Sequence, residues 1–256
     1  EYNAEKNRFK DFKLSLNNLE IQALKTFIPR EKRKSFNQID GKVDYLNVVL
    51  NGDVANPKMK FLAKSDDISV NEQMVGDINT ELFYENREIK GNLIINHYSN
   101  KEEMPELIKG EINSFPIDLS LMEVENRFPT TKQADMKFII DSLPLSIISP
   151  FVPSISYLKG VGKGKLLVSG YLPDNLEFNG IVRFDYASFL VDATNVGYKA
   201  NGGLILKGEK VFLEQVRLYN LQDDLNGGVA DVSGSVTLYE MNISELDIGF
   251  KTKRFH

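Results

Sequence analysis

The 256-residue sequence predicts an all-β fold of antiparallel strands with short intervening helices. Three observations carry this. Apolar and polar residues alternate with period two along most of the chain, as in a strand with one dry face. Turn signals such as "ENRE", "KGEK", "LNGG" and "SDD" interrupt the alternation at short intervals. Helical spacing is confined to one apolar segment, "NLEIQALKTFIP" at residues 18–29, and to its echoes.

Taken in order, that segment places Leu24, Phe27 and Ile28 at a spacing that suits about two helical turns, with Pro29 as the stop. A helix is therefore expected near residues 19–29. Gly41 and the strand "KVDYLNVVLNG" follow, then a turn with Pro57. In "KMKFLAK", Met59, Phe61 and Ala63 oppose Lys58, Lys60 and Lys64, with Leu62 out of phase. The polar hinge "SDD", the short strand "ISV" and two strands at 78–84 and 89–95, joined through "ENRE", complete a meander. The stretch "SFPIDLSLMEVENRFP" at 114–129 shares the opening and the Phe-Pro ending of the first segment but not its internal spacing.

The segment itself returns as "SLPLSIISPFVP": Leu19, Ile21, Leu24, Phe27 and Pro29 fall on Leu143, Leu145, Ile148, Phe151 and Pro153 without a gap. Self-similarity at a fixed offset points to repeat architecture. A second short helix is expected near 143–153, reading like the first as a plug between sheet segments. After it come Gly160, the strand "GKGKLLVSG", a turn with Pro173, and "LEFNGIVRFD". There Leu176, Phe178, Val182 and Phe184 point one way and Glu177, Asn179, Arg183 and Asp185 the other, Ile181 excepted. The short strand "SFLV" and strands at 203–206, 211–218, 232–239 and 243–250 end the chain. The expected organisation is a first β segment over 1–140 and a second over 141–256, together one elongated domain. The ending "MNISELDIGFKTKRFH" still alternates like a strand, which reads as a piece of a longer chain. Meander units of this kind cannot bury an apolar face alone, so neighbours must stack.

Composition narrows the function. The chain is 42% hydrophobic and 26% charged, ordinary for a folded protein, and its net charge of -5 is scattered. No basic stripe tracks phosphates, which argues against nucleic acid. The absence of cysteine fits a cell envelope and the cytosol alike. His97 and His256 are the only histidines, so a Ser/His/Asp set or a His-rich metal site has almost no material. The pairs Asp66-Asp67 and Asp223-Asp224 read as turn residues, because neighbours on an extended chain point apart. "KGVGKGK" at 159–165 lacks the Gly-Lys-Ser/Thr ending of a phosphate loop and reads as a glycine-rich strand entry. The Asn242-Ile243-Ser244 sequon is a chance match outside a secreted eukaryotic protein. No catalytic residue, metal or cofactor is expected.

One resemblance is carried by motif order. "LPLSIISPFVP", then "LKGVGKGKLLVSG", then "FNGIVRFDYASFLV", then "YKANGGLILK" resembles the C-terminal region of TamB-type proteins of the AsmA-like superfamily. The likeness covers about residues 143–250, and 41–96 in a looser form. It implies a curved sheet folded into an open trough, the β-taco, apolar inside and polar outside. The resemblance further implies a periplasmic protein of a Gram-negative-type bacterium, held in the inner membrane by an N-terminal anchor outside this chain and reaching an outer-membrane barrel protein of the translocation and assembly machinery. The work implied is carriage of phospholipid in a hydrophobic groove, or help in outer-membrane protein assembly. On that reading the groove is lined by Met59, Phe61, Leu82, Tyr84, Leu93, Ile95, Leu176, Phe178, Val182, Phe184, Leu204 and Leu206. The other reading is a closed β-sandwich or solenoid that pairs its edge strands with a protein partner. Periodicity does not separate the two, since a dry face is as dry against lipid as against itself.

Overall fold

A computed structural model describes residues 2–3, 7–23, 39–70, 73–96, 106–129, 131–146, 155–172, 175–220, 228–239 and 242–253. The fold is all-β. Its strands are β1 (Tyr2–Asn3), β2 (Arg8–Glu20), β3 (Ile39–Asp53), β4 (Pro57–Val70), β5 (Gln73–Glu85), β6 (Glu88–Asn96), β7 (Glu106–Pro116), β8 (Ala134–Pro144), β9 (Ile155–Tyr171), β10 (Asn175–Val191), β11 (Val196–Gly208), β12 (Lys210–Asn220), β13 (Val229–Tyr239) and β14 (Asn242–Lys253). They form a 14-stranded antiparallel sheet in chain order, with β1 and β14 as edges that do not meet, so the sheet is open. The chain divides into two compact units, Glu1–Phe138 with Val168–Leu176, and Ile139–Leu167 with Glu177–His256.

In the first unit the register places one apolar row on one face. Leu14 pairs Val48, which pairs Phe61, then Leu82, Gly91 and Ile112; alongside run Leu50, Met59, Tyr84, Ile89 and Phe115. Alternation sends Lys58, Lys60, Glu81 and Glu85 to the other face, where Lys58 pairs Glu85 and Lys60 pairs Glu81. The β5–β6 hairpin turns on Asn86 (φ 55°) and Arg87 (φ 59°), the two left-handed residues that the right-handed twist of a two-residue turn requires.

In the second unit Val182 pairs Leu204, then Leu213, Gly234 and Ile248, and Leu206 pairs Val211, then Val236 and Leu246. Arg183 with Glu214 (3.4 Å) and Arg217 with Asp231 (2.9 Å) lie on the opposite face. Leu145, Ala187 and Ala200 form a small buried cluster, with Leu158, Phe184, Phe189 and Leu218 packed against it.

Three features differ from expectation. The first segment is not helical where it is described: Leu19 pairs Val43 and Glu20 pairs Lys42, so β2 runs on before a single 3-10 turn at 21–23. Likewise Leu143 and Pro144 end β8 and 145–146 make a 3-10 turn; residues 24–29 and 147–153 lie outside the described residues. Secondly, "SDD" is no hinge and Asp67 no turn residue. Asp67 (φ 56°) is a bulge inside β4, and its N–H donates to Oδ1 of Asp77 on β5 at 3.1 Å. Thirdly, "LEFNGIVRFD" and "SFLV" are one strand, β10, joined by a bulge at Tyr186 (φ 55°) whose N–H donates to Oδ1 of Asn201 at 2.6 Å. Asp11 (φ 46°) bonds Asn51 Oδ1 at 2.8 Å in the same way. In each case a carboxyl or amide oxygen of the next strand accepts the N–H that the ladder cannot.

Candidate apolar binding face

The first unit brings six of the expected residues together. Met59 and Phe61 on β4, Leu82 and Tyr84 on β5, and Leu93 and Ile95 on β6 share one face, because their Cα positions are either register partners or two apart on a strand. Five of them are half-buried. Tyr84 is different: it is only 1% exposed, and its hydroxyl accepts the Leu119 N–H at 2.8 Å. Burial pushes its phenol above the usual range, so it stays neutral. It is a packed residue, sealed beneath the β7–β8 connection.

In the second unit Phe178, Val182 and Phe184 on β10 face the same way as Leu204 and Leu206 on β11, whereas Leu176 of the expected set falls in the first unit, apart from that unit's other six. All are half-buried. Phe184 packs against the Leu145–Ala187–Ala200 cluster, so it is partly core, whereas Phe178 faces Gly208 and has no side chain opposite on β11. Glycine recurs on these faces at Gly91, Gly180 and Gly234, each opposite a leucine. At Gly110 the vacant volume is filled by Phe138, whose Cε1 lies 2.9 Å from where a Cβ would stand.

The apolar face therefore combines large side chains with glycine gaps, and most of it is neither buried nor fully open. Among the described residues every strand belongs to one sheet. The polar face of the second unit holds two concavities. One of about 750 Å³ is bounded by the ion-paired Arg183, Glu214, Arg217 and Asp231 at the bulges. Another, of about 590 Å³, has Ile139, Val161 and Ile181 between Lys163, Lys165 and Arg183. Charged groups rim both, and the floor of the second is mainly apolar.

Sequence spacing paired Asp66 with Asp67, but the structure pairs it with Asp44. A slip in register between Val43 and Tyr45 leaves Asp44 without a ladder partner, and Lys64 Nζ lies 3.1 Å from the carboxylates of both Asp44 and Asp66. The hydrogen bond between the two carboxyls holds Asp44 below and Asp66 above the ordinary range. The only local signal was the broken alternation of "KVDYLN". Also missed was the network around Asp118. Burial alone would raise its carboxyl, yet hydrogen bonds from Ser120 and the charges of Arg87 and Arg127 outweigh burial and hold it low.

Residues 159–165 lie within β9, as a strand. His97, His256, Asp223 and Asp224 lie outside the described residues. Among the described residues no group of three or more His, Cys, Asp or Glu could hold a metal, and no helix is long and apolar enough to cross a membrane. Comparison with family models, with curated proteins and with solved structures gave no match.

Proposed function

We propose that this chain is a non-enzymatic segment of a bridge between inner and outer membrane, its apolar faces carrying the acyl chains of phospholipid along an open trough. The single observation that supports this most is that each unit carries an apolar face that is mostly half-buried, on an open sheet with ion pairs such as Lys58–Glu85 and Arg183–Glu214 on the other side. Transfer of one methylene from water is worth about 0.8 kcal/mol, so a sixteen-carbon tail crossing water bare costs about 12 kcal/mol. A continuous dry stripe removes most of that barrier. The hydroxyls on the first unit's face are already engaged, Thr80 with the Asn92 carbonyl and Tyr84 with the Leu119 N–H, so on this reading it holds tails without choosing head groups. The motif order noted above supports a periplasmic setting, an inner-membrane anchor in the parent chain, and an outer-membrane barrel partner, with help in outer-membrane protein assembly as a related role.

Organic extraction of the purified protein is expected to yield phospholipid by mass spectrometry, and photo-reactive side chains at Phe178 or Leu82 are expected to capture acyl chains. An extract free of lipid, with no crosslink at either position, overturns the proposal. The second reading, pairing with a protein partner, draws on β14, an edge strand whose Leu246 and Phe250 are 61% and 64% exposed. A protein crosslink at Leu246 in place of lipid at Phe178 would favour it.

A further inference from the structure

The β7–β8 connection is the one long described segment without repetitive structure, yet it is densely bonded. Two sets of bonds can be separated. One set holds the segment to itself: Arg127 Nη1 donates to the carbonyls of Asp118 (2.9 Å) and Ser120 (2.7 Å), Nη2 to that of Met122 (3.3 Å), and the Asp118 N–H to the Arg127 carbonyl (2.6 Å). The other set fastens it across two hairpins of the first unit. Ile117 N–H reaches the Arg87 carbonyl (3.1 Å), Leu121 N–H the Val54 carbonyl (2.8 Å), and Leu119 N–H the Tyr84 hydroxyl (2.8 Å).

A salt link completes the second set: Arg87 Nε lies 3.2 Å from Asp118 Oδ2, and the Asp118 side chain is 6% exposed. Arg87 occupies a left-handed turn position (φ 59°) where glycine is the usual residue. An arginine there carries backbone strain that glycine would relieve. Its side chain supplies what glycine lacks, a partner for a buried carboxylate.

We propose that residues 117–128 are a latched lid on the margin of the first unit's apolar face, and that hydrocarbon reaches that margin only when the lid lifts. The internal Arg127 bonds let the lid keep its shape while the fastenings to Arg87, Val54 and Tyr84 break. When lifted, it uncovers Tyr84, whose register partners are Met59 and Ile89, and so widens the approach to both. The inference names the access step of the face proposed above, and so rests on that reading for its ligand.

The test uses the absence of cysteine. Met59→Cys is labelled with an apolar maleimide, alone and combined with Arg87→Gly or Tyr84→Phe. Arg87→Gly relieves the turn but takes one partner from the buried Asp118 carboxylate, so the labelling rate should climb about tenfold or more while a cooperative thermal transition persists. Tyr84→Phe keeps the ring and removes only the acceptor for Leu119, and should act in the same direction. Equal rates in all three backgrounds overturn the lid. Uptake of a fluorescent fatty acid is followed in parallel and should quicken with labelling. Faster labelling with no uptake by any variant leaves the lid standing and overturns the hydrocarbon reading instead.

Discussion

Leu82 sits near the middle of the first apolar row, between Phe61 and Gly91, and is half-buried. Full burial of a leucine side chain is worth about 1.5–3 kcal/mol, so at half burial Leu82→Asp forfeits about 1–1.5 kcal/mol. Lower strand propensity adds up to about 1 kcal/mol. Because the aspartate stays half-solvated it avoids the cost of a buried charge, and the expected loss of stability is about 2 kcal/mol. The effect on a bound tail is larger. If the carboxylate keeps about four methylenes out of contact, about 3 kcal/mol of binding is lost, a factor of about 200. Two titrations decide it: urea unfolding followed by circular dichroism, and displacement of a fluorescent fatty acid. Asn79→Asp puts the same charge on the opposite face, where Asn79 faces Lys64, and should leave displacement unchanged. The reasoning is refuted if Leu82→Asp abolishes the cooperative transition, for then the face is core, or if a folded Leu82→Asp binds the probe as tightly as the parent.

Three further outcomes are expected. Phe184→Asp, unlike Leu82→Asp, should cost most of the second unit's structure, because Phe184 packs on Leu145, Ala187 and Ala200; loss of dispersed amide signals in NMR spectra checks this. Asn201→Ala removes the acceptor of the Tyr186 N–H at an exposed bulge and should lower stability by about 0.5–1.5 kcal/mol, read from the urea midpoint. Asp118 and Glu88 are held low despite burial, which opposes both; Ser114 and Lys132 offset it at Glu88. A depressed carboxyl stabilises the fold above its unfolded pKa and loses that contribution as pH falls through the folded one. The first unit should therefore weaken below about pH 4, and Asp118→Asn should flatten that acid limb in a series of thermal melts.

Strand positions are legible in the sequence because period two is a local property. The 89–95 strand became β6 (Glu88–Asn96) and the 211–218 strand became β12 (Lys210–Asn220), and "ENRE" turned where it was placed. Errors gathered where a neighbour supplies the missing bond. Nothing within "SDDIS" says that Asp77, ten residues on, will accept the Asp67 N–H and let the strand pass through a bulge. The same holds for Tyr186 and Asn201, which merged two expected strands into one. The site divides likewise. Alternation placed Phe61, Leu82 and Leu93 on a common dry face, but the burial of Tyr84 follows from Leu119, 35 residues away.

By itself the amino-acid order determined that this chain forms antiparallel strands with one greasy and one charged side, because adjacent residues on an extended backbone must point apart. Tertiary structure alone decided which parts of the greasy side stay uncovered and where a lid crosses it. Those outcomes depend on Asp118, Arg127 and Arg87 meeting across separate hairpins, and no local period encodes such a meeting.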